Sequence, residues 1–302
     1  IYQCDWSSDV CSSDLTNSYF MKSEDIAVKV GGKWKFYDPA SRYMPYGMLS
    51  WNEEGQSVLI ADSKEPVWDK TPMSGPELSV EKRTGQFKLA EDGTLEGTVE
   101  MQFTGHIGAQ HKEYNDDDTQ EQRENTLKNL VRGNILSTAE ISDISIENVT
   151  DPDKPFTYKF KVKVPGYATR TGKRIFFQPN VFERGGKSMF EAADRRFDVY
   201  FKYPYGESDD IKIELPAGWS LESPDSPGVV KDQSGIGIDD IAISVTSDGR
   251  GVVYKRNFTF GNNGMVVFSK DVYPALKGLF EDRKSTRLNS SHTDISRMPS
   301  SA

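Results

Sequence analysis

Asp38 is the first residue whose type and place could do chemistry, because it closes the hairpin-like stretch that begins at Asp25 and stands directly before Pro39. A carboxylate at the open end of a hairpin is a potential catalytic group, while the structural alternative is an Asp that caps the turn begun by the proline. A second constellation is His106 and His111, followed by Glu113 and by Asp116, Asp117 and Asp118. Two imidazoles ahead of several acids could hold a divalent cation, but the spacing fits neither the zinc nor the calcium pattern. The acids read instead as the start of a helix, where negative charge is favoured, so no metal is assigned. Arg170-Thr171-Gly172-Lys173-Arg174 has part of a phosphate-loop pattern, yet it lacks the first glycine and the hydroxyl residue after lysine. It reads as a basic surface β-turn. Trp34, Tyr43, Tyr46, Trp51, Trp68 and Trp219 could stack on sugars, although Trp34 and Trp219 sit among aliphatic residues as core side chains do.

These residues need elements to position them, and the pattern that supplies them is mainly β. Ile26, Val28 and Val30 alternate, and after Gly31-Gly32 the alternation resumes through Trp34 and Phe36 to Asp38. A three-residue Gly-Gly-Lys loop would pair Val28 with Phe36 and keep the apolar series on one face, whereas a two-residue turn would separate them. The longer loop is therefore expected. From Ala40 to Ser79 prolines and glycines interrupt every long element except a short strand over Ser57–Ile60, and MSGPELS reads as a linker. After it come a hairpin around Asp92-Gly93, a helix over about 119–132, and strands near 140–147, 156–164 and 174–178. The helix is announced by the capping-box spacing Asp118-Thr119-Gln120-Glu121 and stopped by Gly133-Asn134. A second β series follows in FDVYFKY, DDIKIELP, DIAISV, GVVYKRNFTF and MVVFS, with a tight turn at Ser247-Asp248-Gly249, before a last helix begins at Val272.

The two ends do not share this texture. Residues 1–15 and 282–302 are crowded with Ser, Asp and Arg, and DWSSDVCSSDL and DRKSTRLNSSH can be encoded by reverse-complementary strands. They read as translated sequencing adapter and are set aside from the fold. Cys4 and Cys11 fall inside the first of these segments, so neither a disulfide nor a metal site is expected. The chain carries 46 acidic against 37 basic residues, a balance that argues against a partner bound through its phosphate backbone, and no nucleic-acid partner is expected. No apolar run reaches the roughly 18 residues that span a bilayer.

Taken in order, DIAVKVGGKWKFYDP, RYMPYGML, KRTGxxKLxxDGTLEGTV, VPGYAxRTGKR, IELPAGW and FGNNG carry a specific likeness. Over residues 19–281 the chain resembles the C-terminal part of bacterial transglutaminase-like proteins, which join a papain-like core to a β-rich C-terminal domain. The resemblance implies a Cys nucleophile on a helix, a His that deprotonates it and an Asp that orients the His, with acyl transfer through a thioester. Asp38 matches that Asp. The His position aligns with Ser23, which cannot act as the base, and the Cys helix would precede the chain. Either the parent is a pseudoenzyme or the alignment slips near Ser23.

The expected architecture is a hairpin remnant of the core plus linker over 16–80, a β-rich domain over 81–180, and a second half of an antiparallel β-sandwich over 181–281. The function expected is non-catalytic, structural or binding, in an extracytoplasmic protein, with no cofactor. The alternatives are an accessory region of an active Cys-His-Asp acyltransferase or peptidase, whose substrate would be a protein or peptide, and a glycan-binding sandwich.

Overall fold

The computed structural model describes residues 2–4, 21–61, 65–183, 189–222, 228–231, 235–280 and 293–297. In chain order the first strands are β1 (Tyr2–Cys4), β2 (Met21–Glu24), β3 (Ile26–Val30), β4 (Lys33–Tyr37), β5 (Ser57–Ile60) and β6 (Val67–Lys70). Then come β7 (Val80–Leu89), β8 (Leu95–Phe103), α1 (Gly105–Asn115), α2 (Gln120–Asn134), β9 (Glu140–Glu147) and β10 (Phe156–Val164). The second half holds β11 (Thr169–Thr171), β12 (Arg174–Phe177), β13 (Val199–Tyr200), β14 (Tyr205–Glu214), β15 (Trp219–Leu221) and β16 (Gly228–Lys231). It continues with β17 (Gly237–Val245), β18 (Gly251–Phe260), β19 (Val267–Phe268), a helix α3 over 273–280 and β20 (Thr293–Arg297).

The protein is mainly β, built on one eight-stranded sheet in the order β16-β17-β18-β14-β7-β8-β10-β9. All neighbours in it are antiparallel except β7 and β14, which run parallel from Val80 opposite Gly206 to Lys88 opposite Glu214. The sheet thus draws strands from both 81–180 and 181–281 and joins them through this single parallel pair. The period-2 pattern decides its faces. Phe87, Leu89, Leu95, Val99, Met101 and Phe103 point to one side and are buried, together with Phe156, Tyr158, Phe160, Val162, Ile211 and Ile213. Leu127 and Val131 of α2, and Ile175, Phe177 and Trp219 of the small sheet β11-β12-β20-β15, pack onto that side. The opposite side alternates charge across five strands, since Glu140 faces Lys163, Lys163 faces Glu96, Glu96 faces Lys88 and Lys88 faces Glu214. Cross-strand pairs of opposite sign fix the register of a polar face where burial does not.

A second apolar cluster gathers Phe258, Phe260, Phe268, Tyr273, Leu276 and Leu279 around α3. On the buried side of the large sheet also lies a charged network. Arg83 donates two bonds to Asp209, from Nε at 2.5 Å and Nη2 at 3.0 Å, while Arg256 donates to Asp239 at 2.8 Å and Glu207 at 2.8 Å. Both arginines are almost wholly buried.

Several expectations are corrected. The first hairpin turns on two residues, not three: Val30 pairs with Lys33 and Val28 with Lys35, and Gly31 and Gly32 have φ of 59° and 82°. Two adjacent positive φ values form the turn whose twist matches the strands, and glycine allows both. The apolar series is therefore split, with Trp34 and Phe36 facing a small core of Leu49, Val58 and Ile60 while Ile26, Val28 and Val30 are exposed. The cap of α2 is Thr119 rather than Asp118, and its box partner is Gln122, not Glu121. Helix α1 was not expected at all. Its two glycines and three buried polar side chains hide the apolar period, and it is held by tertiary packing. FDVYFKY yields only the two-residue β13. Of the end segments, 1, 5–15, 282–292 and 298–302 lie outside the described residues, but 2–4 pair with β2 and β5, and 293–297 fill the gap between β12 and β15 with Ile295 buried. Unpaired backbone on β12 and β15 accepts a short extended segment with an apolar centre whatever its origin.

Candidate functional site: a buried carboxylate cluster

Asp38 follows β4, and the stop imposed by Pro39 turns the chain so that Asp38 Oδ1 accepts the Ala40 amide at 2.8 Å. This is the turn-capping role weighed from the sequence. Its other oxygen, Oδ2, receives the Ser50 hydroxyl at 3.4 Å, and Ser50 is in turn 2.5 Å from the Ser41 hydroxyl.

Two carboxylates not picked out by sequence complete the site. Asp25, between β2 and β3, and Glu53, in the turn after Trp51, each bring an oxygen within 4.8 Å of the others and of Asp38. Both are buried, whereas Asp38 is half-buried. Burial pushes the Asp25 carboxyl up to about 6, with the charge of Asp38 adding to the effect. Burial, followed by the charges of Asp25 and Asp38, pushes Glu53 up to about 7, against the opposing pull of the Ser50 amide and the Ser23 hydroxyl. Like charges this close disfavour one another's ionised form, which together with burial holds Asp25 and Glu53 above the ordinary carboxylate range.

Ser23, on β2, is hydrogen-bonded to Glu53. Ser23 and Asp38 therefore border the same cluster through Glu53. Chemically the cluster can donate or accept a proton near neutral pH. Its carboxylates could also offer oxygens to a cation, but three oxygens are half of what calcium takes. Met21, two residues from Ser23, faces Cys4 across β1 and β2; Cys11 lies outside the described residues.

The next residue, Glu54, points elsewhere. It accepts the Ser74 hydroxyl and amide and lies 3.2 Å from His106 Nε2, whose ring stacks on Tyr203 at 4.6 Å. Ser50, Trp51, His106, Lys202 and Tyr203 line a pocket of about 310 Å³ beside the cluster.

The remaining sequence candidates separate. His111 is enclosed by Phe103 at 3.9 Å and Phe156 at 5.3 Å, and burial pushes its imidazole down to about 4. It is a neutral core histidine, apart from His106. Asp116 accepts from Tyr43 at 2.8 Å and Arg42 at 2.9 Å, which explains one acid of that run as a tether. Arg170–Arg174 forms the β11–β12 turn, with Arg170 over the Trp219 ring at 5.6 Å and Arg174 paired with Glu222. Tyr43 and Trp219 are core residues, while Tyr46 and Trp68 are exposed.

Residues 173–288 match the family model described as Domain of Unknown Function with solved-structure structure (DUF3858). The match begins at β12 and takes in β14–β19 and α3, the part of the large sheet beyond β7 together with the second apolar cluster. The carboxylate cluster lies outside it. No curated protein matches the chain. The signal that could have found Asp25 and Glu53 is faint: each is an acid beside an apolar or aromatic run, and only the folding of the turn after Trp51 onto the hairpin brings them together.

Proposed function

We propose that this chain is the C-terminal part of an extracytoplasmic bacterial transglutaminase-like protein, that its role is structural or binding, and that it does not itself transfer acyl groups. The observation that carries this reading is the hydrogen bond between Ser23 and Glu53 beside Asp38. Such a protein needs an imidazole between nucleophile and aspartate; a serine hydroxyl cannot take that proton, and Asp38 here caps a turn. Residues 1–15 and 282–302 belong to the same proposal as adapter-derived ends, and 16–80, 81–180 and 181–281 as core remnant and two β-rich parts. The match over 173–288 supports the last of these.

Incubation with a glutamine-bearing peptide and hydroxylamine tests the reading. No hydroxamate is expected between pH 5 and 9. Hydroxamate formation that disappears in Asp38→Asn would overturn it and favour an active acyltransferase.

A further inference from the structure

Away from the carboxylates, a groove of about 680 Å³ runs along β4 to the end of β6, lined among others by Lys33, Trp34, Lys35, Tyr37, Tyr46 and Lys70. Among the described residues β4 pairs only with β3, and β6 only with β5, so the groove lies along two strand edges. The rings of Tyr37 and Tyr46 are 5.4 Å apart and tilted by 30°, with their hydroxyls 3.3 Å from each other. Tyr46 is 82% exposed, which no packing role requires. Gly47, at φ 88°, carries no side chain beside it, and nothing stands within 4 Å of where a Cβ would be.

The charge here runs against the rest of the molecule. Lys33, Lys35 and Lys70 are exposed around the groove, and Lys29 lies over the Trp34 ring at 5.1 Å. None of these four makes an ion pair with a described residue, and Asp69 is the single carboxylate in the lining, in a chain of net charge −9. Lys35 is close enough to act electrostatically on the Tyr46 phenol. Lysines on an edge strand do blunt edge-to-edge association, but that purpose needs neither a concave floor nor an exposed pair of phenols.

We propose that this groove is a binding site for an acidic oligosaccharide carrying uronate groups. The apolar face of a pyranose ring packs on the Tyr37–Tyr46 pair, as aromatic faces do with flat apolar surfaces. The two phenol hydroxyls, side by side, offer donors and acceptors to neighbouring sugar hydroxyls, and the lysines meet the carboxylates. The sequence named six aromatics for such a role; Trp34 and Tyr46 line this groove, Tyr37 joins them, and burial removes Tyr43 and Trp219.

Native affinity electrophoresis in gels containing polygalacturonate, with dextran and poly-glutamate as comparisons, tests the site. Polygalacturonate is expected to retard the protein and dextran is not. Tyr46→Ala and Lys35→Glu, both at exposed positions, are each expected to weaken retention roughly fivefold to tenfold, with unchanged thermal melts. Absence of retardation by polygalacturonate overturns the proposal. So does equal retention by poly-glutamate that Tyr46→Ala leaves unchanged, since the groove would then bind acidic peptides by charge alone.

Discussion

The hydroxyl of Ser23 is hydrogen-bonded to the buried carboxyl of Glu53, which in turn lies within 4.8 Å of Asp38 and Asp25. Two of these carboxyls have raised pKa values in the fold, about 6 for Asp25 and about 7 for Glu53, against 3.8 and 4.5 unperturbed. Raised acids cost nothing while protonated in both states and destabilise the fold once ionised. The contribution of these two acids to stability is therefore expected to fall as pH rises from about 4 to about 7, by roughly 2 kcal/mol after allowance for solvent screening. Urea denaturation at pH 5 and pH 8 in the parent and in Glu53→Gln isolates it, since the opposing His111 contribution is common to both: the stability that the variant gains over the parent should be larger at pH 8 than at pH 5.

His111 works in the opposite direction. Its imidazole is pushed down to about 4 by burial, so the stability it contributes is lost as pH falls from the unperturbed value near 6.5 toward 4. His111→Phe, which keeps an aromatic ring among Phe103, Phe156 and Tyr158, is expected to abolish this acid limb while leaving stability at pH 8 within about 1.5 kcal/mol of the parent.

Arg256→Met removes the cation shared by Asp239 and Glu207 and leaves buried acids without it. Breaking such a network from one side costs about 3–5 kcal/mol, which equilibrium unfolding would report. Replacing the charged members together by apolar residues should cost less than this single change.

The tight turn of the first hairpin predicts that Gly32→Ala, at φ 82°, destabilises by about 1 kcal/mol, whereas Gly31→Asn, at φ 59°, is neutral or slightly stabilising. Amide exchange at Val30 and Lys33 reads the effect locally.

Strands with clean alternation were legible from the sequence. TYKFKVKV became β10 and the Asp92-Gly93 hairpin became β7–β8, because one side of each faces a core and the other faces water. What was not legible depended on long-range partners. The β7–β14 parallel pairing joins residues more than a hundred positions apart, and α1 has no apolar stripe of its own. At the site, Asp38 and Ser23 were named, but Asp25 and Glu53 were not, since a carboxylate gains its altered proton affinity only from neighbours that the fold supplies. Of the six aromatics, most of which were expected in the core, Tyr43 and Trp219 are buried, and exposure alone could separate Tyr46 from Tyr43.

The most direct measurement of the central claim, that Ser23 and Asp38 belong to one buried carboxylate cluster, is a carbon-13 NMR titration of the side-chain carboxyls in the parent and in Ser23→Ala. Asp25 and Glu53 are expected to titrate in coupled steps near 6 and 7. Loss of the Ser23 hydroxyl should move the Glu53 step upward. Titration of both groups near 4, unaffected by Ser23→Ala, would contradict the account.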